Sequence, residues 1–283
     1  MSSRPGLLLS LLAYTLLSVG FVLEKKGIDW IGFKGPKDRA YFNSLFIWIS
    51  GFLIANLSIV PNTMALKSLT PHVVASVAGW GVAVTVILSW AVLGERLYRA
   101  DFLDTALIAG AIVAINLFEQ GNAGNIIRVP YLVAASAFPF ILFAFLFLKA
   151  VFQETRAVLL AAVSGISTGM ITVAMKALVS LFGFRIGDYF ASPYLYLYLL
   201  FSITAFVTLQ MAFKTADMML AGPAQYSLAI IYPVICSMLV FGSRFHPAQP
   251  AAILLVVIFV VRLLRRHWTP GRGMAAKGAG GAR

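Results

Sequence analysis

Nine long apolar runs, joined by short polar connections, decide what this chain can fold into. They lie near 7–23, 43–66, 71–93, 102–118, 130–148, 157–180, 193–213, 218–241 and 249–264. Each is close to the roughly 17–25 residues that an α-helix needs to cross a bilayer. Of the 283 residues, 60% are hydrophobic and only 11% are charged, whereas soluble domains carry about a quarter charged residues. Such a chain has too little polar surface to coat a globule in water. The expected fold is therefore all-α, a polytopic membrane protein of about nine transmembrane helices. Strand-like alternation is absent, which argues against a β-barrel. The first run lacks a small-residue cleavage site and ends in Glu24, Lys25 and Lys26, so it reads as a retained span and not a removed signal.

The net charge of +12 would suggest nucleic acid in a soluble protein. Here the basic residues sit in the connections and in the tail RLLRRHWTPGRGMAAKGAGGAR, without the aromatic interleaving of nucleic-acid binders. Orientation and contact with anionic lipid account for them instead. With nine spans, 16 of the 22 Lys and Arg fall on the side of the C-terminal tail and 6 on the other. This bias predicts an N-terminus outside and a C-terminus in the cytoplasm. The expected location is the bacterial inner (plasma) membrane. Cys236 is the sole cysteine, so no internal disulfide can form.

Short stretches recur at nearly constant spacing. MALK at 64–67 returns as MAFK at 211–214, VLGERL at 92–97 as VFGSRF at 240–245, and Ser18-Val-Gly20 as Ser167-Thr-Gly169. The order is kept throughout, which marks a duplication. Five spans separate each copy from its partner. Five is odd, so the copies cross the bilayer in opposite directions, as in the inverted repeats of many secondary transporters. The expected organisation is an N-terminal repeat over 1–120, a connecting span within 121–156, an inverted C-terminal repeat over 157–266, and a disordered basic cytoplasmic tail over 267–283.

The span closing in LGER, followed by the Gly-containing span ADFLDTALIAGAIVAI, resembles the drug/metabolite transporter (EamA-like) superfamily. Within it, GFVLEKKG, LTP and QMAFKTAD look most like the NIPA-type branch, whose proteins are associated with Mg²⁺ transport. The resemblance covers roughly 7–264 and implies an inverted-repeat bundle and that ion. One position departs from the pattern. In GFLIAN, Leu53 stands where the family carries an acidic residue. Magnesium favours carboxylates and holds its water tightly, so an organic solute or amphiphile competes as the expected substrate.

Candidate site residues follow from polar and helix-breaking positions inside the spans. Gly79-Trp80-Gly81 interrupts the third span, and Gly222-Pro223 with Pro233 interrupts its counterpart, the eighth. Paired interruptions of this kind often mark a transporter's binding site; a packing kink is the plainer alternative. Asn56, Gln210, Gln225, Tyr226 and Tyr232 are candidate substrate contacts, although uncharged polar groups at this depth commonly bond only a neighbouring helix. Trp80 is a candidate stacking wall. Glu24, Lys25 and Glu95 are candidate gate residues, with Gly222 and Pro223 as a hinge. Read plainly, Glu24 and Lys25 anchor an interface, and Gly94-Glu95-Arg96 terminates a helix.

The leading expectation is a secondary transporter of a small solute working by alternating access, with a midplane site between two rocking halves. Its partners would be the solute or ion and membrane lipid, with homo-oligomer formation left open. Export or flipping of an organic metabolite or amphiphile is one alternative, and a non-transporting assembly or lipid-binding partner is another. No HExxH or GxSxG occurs, and His72, His246 and His267 lie at span ends or in the tail, so neither enzymatic activity nor a cofactor is expected. No set of metal ligands is assignable.

Overall fold

The computed structural model describes residues 3–30, 39–96, 98–117, 127–148, 153–183, 185–242 and 246–267. Within them the helices are α1 (Ser3–Gly27), α2 (Arg39–Leu57), α3 (Ile59–Ser68), α4 (Pro71–Ser76), α5 (Ala78–Leu88), α6 (Arg99–Leu117), α7 (Val129–Leu148), α8 (Gln153–Phe182), α9 (Ile186–Tyr189), α10 (Pro193–Thr215), α11 (Met218–Phe241) and α12 (Ala248–His267). No strand is present among the described residues. A helix lies on each apolar run, and six stretches there are long and apolar enough to cross a membrane. These are Pro5–Trp30, Arg39–Ser68, Pro71–Leu93, Ala157–Phe182, Pro193–Thr215 and Met218–Phe241. Phe46, Val133, Ile141, Ile203 and Leu254 project from outer faces, as side chains meant for lipid do. The protein is an all-α integral membrane protein. The charged connection 31–38, Glu119, residues 243–245 of the second echo and the tail 268–283 lie outside the described residues.

Lipid offers no partner for a backbone N–H or C=O, so helices are the solution for single spans, and their ends and interruptions need local answers. Pro71 and Pro193 open their helices at positions where a missing N–H costs nothing. Gly94 and Gly242 close theirs in the left-handed region, at φ 70° and 60°, as the two echoed hexamers required of a C-terminal glycine. The interruptions differ from expectation. Met218–Phe241 is one continuous helix through both Pro223 and Pro233. The breaks occur in the first half, at Ser58 between α2 and α3 and at Val77 between α4 and α5. Pro61 explains the first: without an N–H it cannot bond the Leu57 carbonyl, and the chain turns at Ser58. The Ser58 hydroxyl donates to Ala55 O at 2.5 Å.

Small residues let the helices approach. α1 lies along α2 because Gly20 faces Ala55 and Gly51 faces the Glu24 backbone, where a Cβ would stand 2.6 Å from its nitrogen. α8 lies equally close to α10, where Ser164 Oγ donates to Ala205 O at 2.9 Å. Gly165 packs on the Gln225 carbonyl and brings α8 against α11. α5 and α11 meet at Gly81 against the Tyr226 ring, and α6 pairs with α12.

The MALK and MAFK segments end alike. After α3, Leu69 and Thr70 take φ/ψ of −116°/157° and −79°/156°. After α10, Ala216 and Asp217 take −129°/157° and −68°/152°. α1 touches both endings. Its Gly6 abuts Leu69, with a Cβ falling 3.0 Å from Leu69 Cγ, and its Lys25 Nζ donates to Phe213 O and Ala216 O. Nineteen residues of helix span about 28 Å at 1.5 Å each, so the two endings lie at opposite ends of α1.

Substituting Gly51→Val should force α1 from α2 and lower the thermal unfolding midpoint in detergent, at a cost of about 1–3 kcal/mol. An unchanged midpoint would show that this approach is dispensable.

Candidate functional site

Four elements, α1, α2–α3, α8 and α10, enclose a cavity holding about 950 Å³ of non-atom space, its mouth included. Each contributes a stripe at helical spacing. On α1 it is Tyr14, Leu17, Phe21 and Glu24; on α8 it is Ser164, Thr168, Thr172 and Met175. The break at Ser58 turns Asn56 and Asn62 toward the same space. Phe52 and Phe206, 5.4 Å apart and edge to face, line it from opposite helices.

Glu24 is the one acidic residue among those lining the cavity, and no Lys, Arg or His lines it. Read plainly from sequence as an interfacial anchor, Glu24 lies on the face of α1 that lines the cavity. It is only 2% exposed. Gln210 Nε2 donates to its carboxylate, and Gln210 Oε1 in turn accepts from Trp48 Nε1 at 3.1 Å. Among the described residues no basic side chain pairs with Glu24.

The remaining candidates separate into three groups. Asn56 and Glu24 line the cavity, Gln210 supports Glu24 from behind, and Gln225 reaches the lining residue Thr168 through Nε2 at 3.3 Å. Trp80, Tyr226 and Tyr232 are not among the lining residues. Trp80 Nε1 donates to Thr15 Oγ1, the Tyr226 hydroxyl shares a 2.8 Å bond with Ser18, and the Tyr232 hydroxyl donates to Ala135 O. Gly222 and Pro223 are buried in unbroken helix, Gly222 beside Thr85.

Lys25 and Glu95 act together at one end of the bundle. Lys25 Nζ donates to Phe213 O and to Ala216 O, the latter at 2.7 Å. Glu95 accepts from Met218 N and Met219 N, both at 2.8 Å. The turn between α10 and α11 is thus held from both sides, a cation on the carbonyls ending one helix and an anion on the amides starting the next. Asp217 stands at the N-cap of α11, but its side chain makes no capping bond. Burial pushes the Glu95 carboxyl above the usual carboxylate range, against the pull of the two amides and Lys25.

Sequence reading missed two further features. Lys176 is buried and donates to Leu66 O at 2.8 Å and Leu69 O at 3.1 Å. It serves the MALK ending as Lys25 serves MAFK. The other is a buried carboxylate pair on α6. Arg266 of α12 binds both Asp101 and Asp104, and Arg262 approaches Asp104 at 3.4 Å. The i, i+3 spacing of the aspartates and the i, i+4 spacing of the arginines were the available signals.

Removing the anion by Glu95→Ala should raise amide exchange at Met218 and Met219 by about tenfold or more, since bonds to a charged group contribute roughly 1.5–3 kcal/mol. Glu95→Gln should fall between. Unchanged exchange would mean that these amides do not depend on Glu95.

Comparison with protein-family models, with curated proteins and with solved structures finds no match to this chain.

Proposed function

We propose that this chain is a secondary transporter that moves a small solute by alternating access, built as an inverted repeat of the drug/metabolite transporter type. The observation that carries the reading is a cavity within the bundle, mostly apolar but set with hydroxyl and amide groups and one carboxylate, bounded by α1 with α2–α3 on one side and α8 with α10 on the other. A partner protein that transports nothing has no need of such a space.

Further support comes from the paired geometry. α1 packs on α2–α3 as α8 packs on α10, and α5 packs on α1 as α11 packs on α8. One lysine from each proposed half caps the corresponding helix ending of the other, at opposite ends of α1. Counting α2–α3 and α4–α5 as interrupted spans, and including α6, α7 and α12, gives nine crossings with the Lys25 end in the cytoplasm. In this arrangement the Lys25–Glu95 clamp on the α10–α11 turn closes the cytoplasmic end. The Lys176 contact occupies the equivalent place outside. Opening toward either side requires the corresponding contact to part, while the cavity stays between the same helices.

The topology is tested with a Cys236→Ala background and single cysteines at Lys67 and Lys214, both exposed. A membrane-impermeant maleimide added to intact cells should label position 67 and reach position 214 only after lysis. Labelling of both from outside would sink the inverted arrangement. Transport is tested by counterflow in proteoliposomes across cations including Mg²⁺, neutral solutes and anions. Folded protein that passes none of them would overturn the carrier reading.

A further inference from the structure

Most of the hydroxyls around the cavity offer it lone pairs, while the Tyr14 and Tyr198 phenols and the Asn62 amide, which also line it, are able to donate. Ser58, Thr63, Ser164, Thr168, Thr172 and Ser202 all line it, and each hydroxyl already donates its proton to a backbone carbonyl of the bundle. A hydroxyl has one proton to give and two lone pairs to offer, so those that face the cavity face it as acceptors. Asn56 Nδ2 gives one of its two protons to Phe52 O at 2.8 Å, and its Oδ1 accepts no bond among the described residues. Asn62 Oδ1 is buried with no partner among the described residues. Glu24 adds a carboxylate 98% removed from solvent, held among the described residues by the neutral Gln210. A buried carboxylate either takes up a proton or needs a cation beside it, and a cationic ligand would bring that missing charge.

We propose that the cavity binds an organic ammonium ion carrying N–H donors, with Glu24 as its counter-charge and the lining hydroxyl and amide oxygens as acceptors. The inference rests on the carrier reading in taking this cavity as the solute site. The rings of Phe21, Phe52 and Phe206 line the same space, and aromatic faces attract cations while covering an apolar body. Mg²⁺ suits the site less well. It demands a near-octahedral oxygen shell, and no group of three or more His, Cys, Asp or Glu that could hold a metal occurs among the described residues. An anion would meet Glu24 and no basic side chain.

The full-length protein in detergent would be titrated calorimetrically with phenethylammonium, its N-trimethyl counterpart, 2-phenylethanol and Mg²⁺. Phenethylammonium should bind most tightly, the trimethyl ion more weakly for want of N–H donors, and the neutral alcohol weakest of the organic probes. Glu24→Gln, which keeps the size and an acceptor for Gln210, should lower phenethylammonium affinity by roughly tenfold or more. Asn56→Asp places a second carboxylate on an exposed part of the lining and should raise it. Equal affinity in wild type and both variants, preference for Mg²⁺ or the alcohol, or no binding of phenethylammonium overturns the inference. Ammonium binding without counterflow in liposomes would fail the carrier reading and leave the site intact. Counterflow of neutral or anionic solutes without ammonium binding would do the reverse.

Discussion

Two helix C-termini in this bundle end in carbonyls that are each met by a lysine from a distant helix. Lys25 serves Phe213 and Ala216, and Lys176 serves Leu66 and Leu69. A buried ammonium is tolerated only when hydrogen-bonded, and an unmet buried carbonyl is costly in its own right. Each group therefore answers the other's need. The consequence is architectural: α1 is tied to the end of α10 and α8 to the end of α3, so elements far apart in sequence share their ends. At the Lys25 end the tie is completed by Glu95 on the amides of Met218 and Met219.

These polar ties work because the apolar packing between them is tight. Gly20, Gly51 and Gly165 sit where a side chain would strike backbone, so α1, α2, α8 and α11 approach at glycine distance. Between apolar helices in lipid, close packing and interhelical hydrogen bonds replace the hydrophobic drive available in water. The space left over is the cavity. It lies between α1, α2–α3, α8 and α10, with Trp48, Phe52 and Phe206 as an aromatic seam between α2 and α10.

The chemistry of that cavity follows from an ordinary habit of hydroxyls in helices. Serine and threonine donate back to their own helix when no better acceptor is near, as Thr168, Thr172 and Ser202 do here. A surface that reads as neutral and polar in one dimension thus becomes acceptor-rich in three. Against that background Glu24 gains weight, as a single anion with neutral neighbours in a space no basic residue lines.

By itself the sequence determined the solvent, the all-α class and the placement of helices along the chain. Apolar run length and the absence of period-two alternation admit little else for a backbone in lipid. It also marked Gly94 and Gly242 as helix ends, because that left-handed conformation favours glycine. Only the tertiary structure decided where polar residues point. Glu24 reads in one dimension as an interfacial anchor, and packing turns its face of α1 to the cavity and buries it. Pro223 and Pro233 looked like interruptions, yet α11 runs through them, while Pro61 breaks α2 from α3 beside the cavity. Lys176 shows why such outcomes are not legible in one dimension. Its partners lie more than a hundred residues away in sequence, and whether a lysine reaches outward or caps a helix depends on what the fold sets beside it.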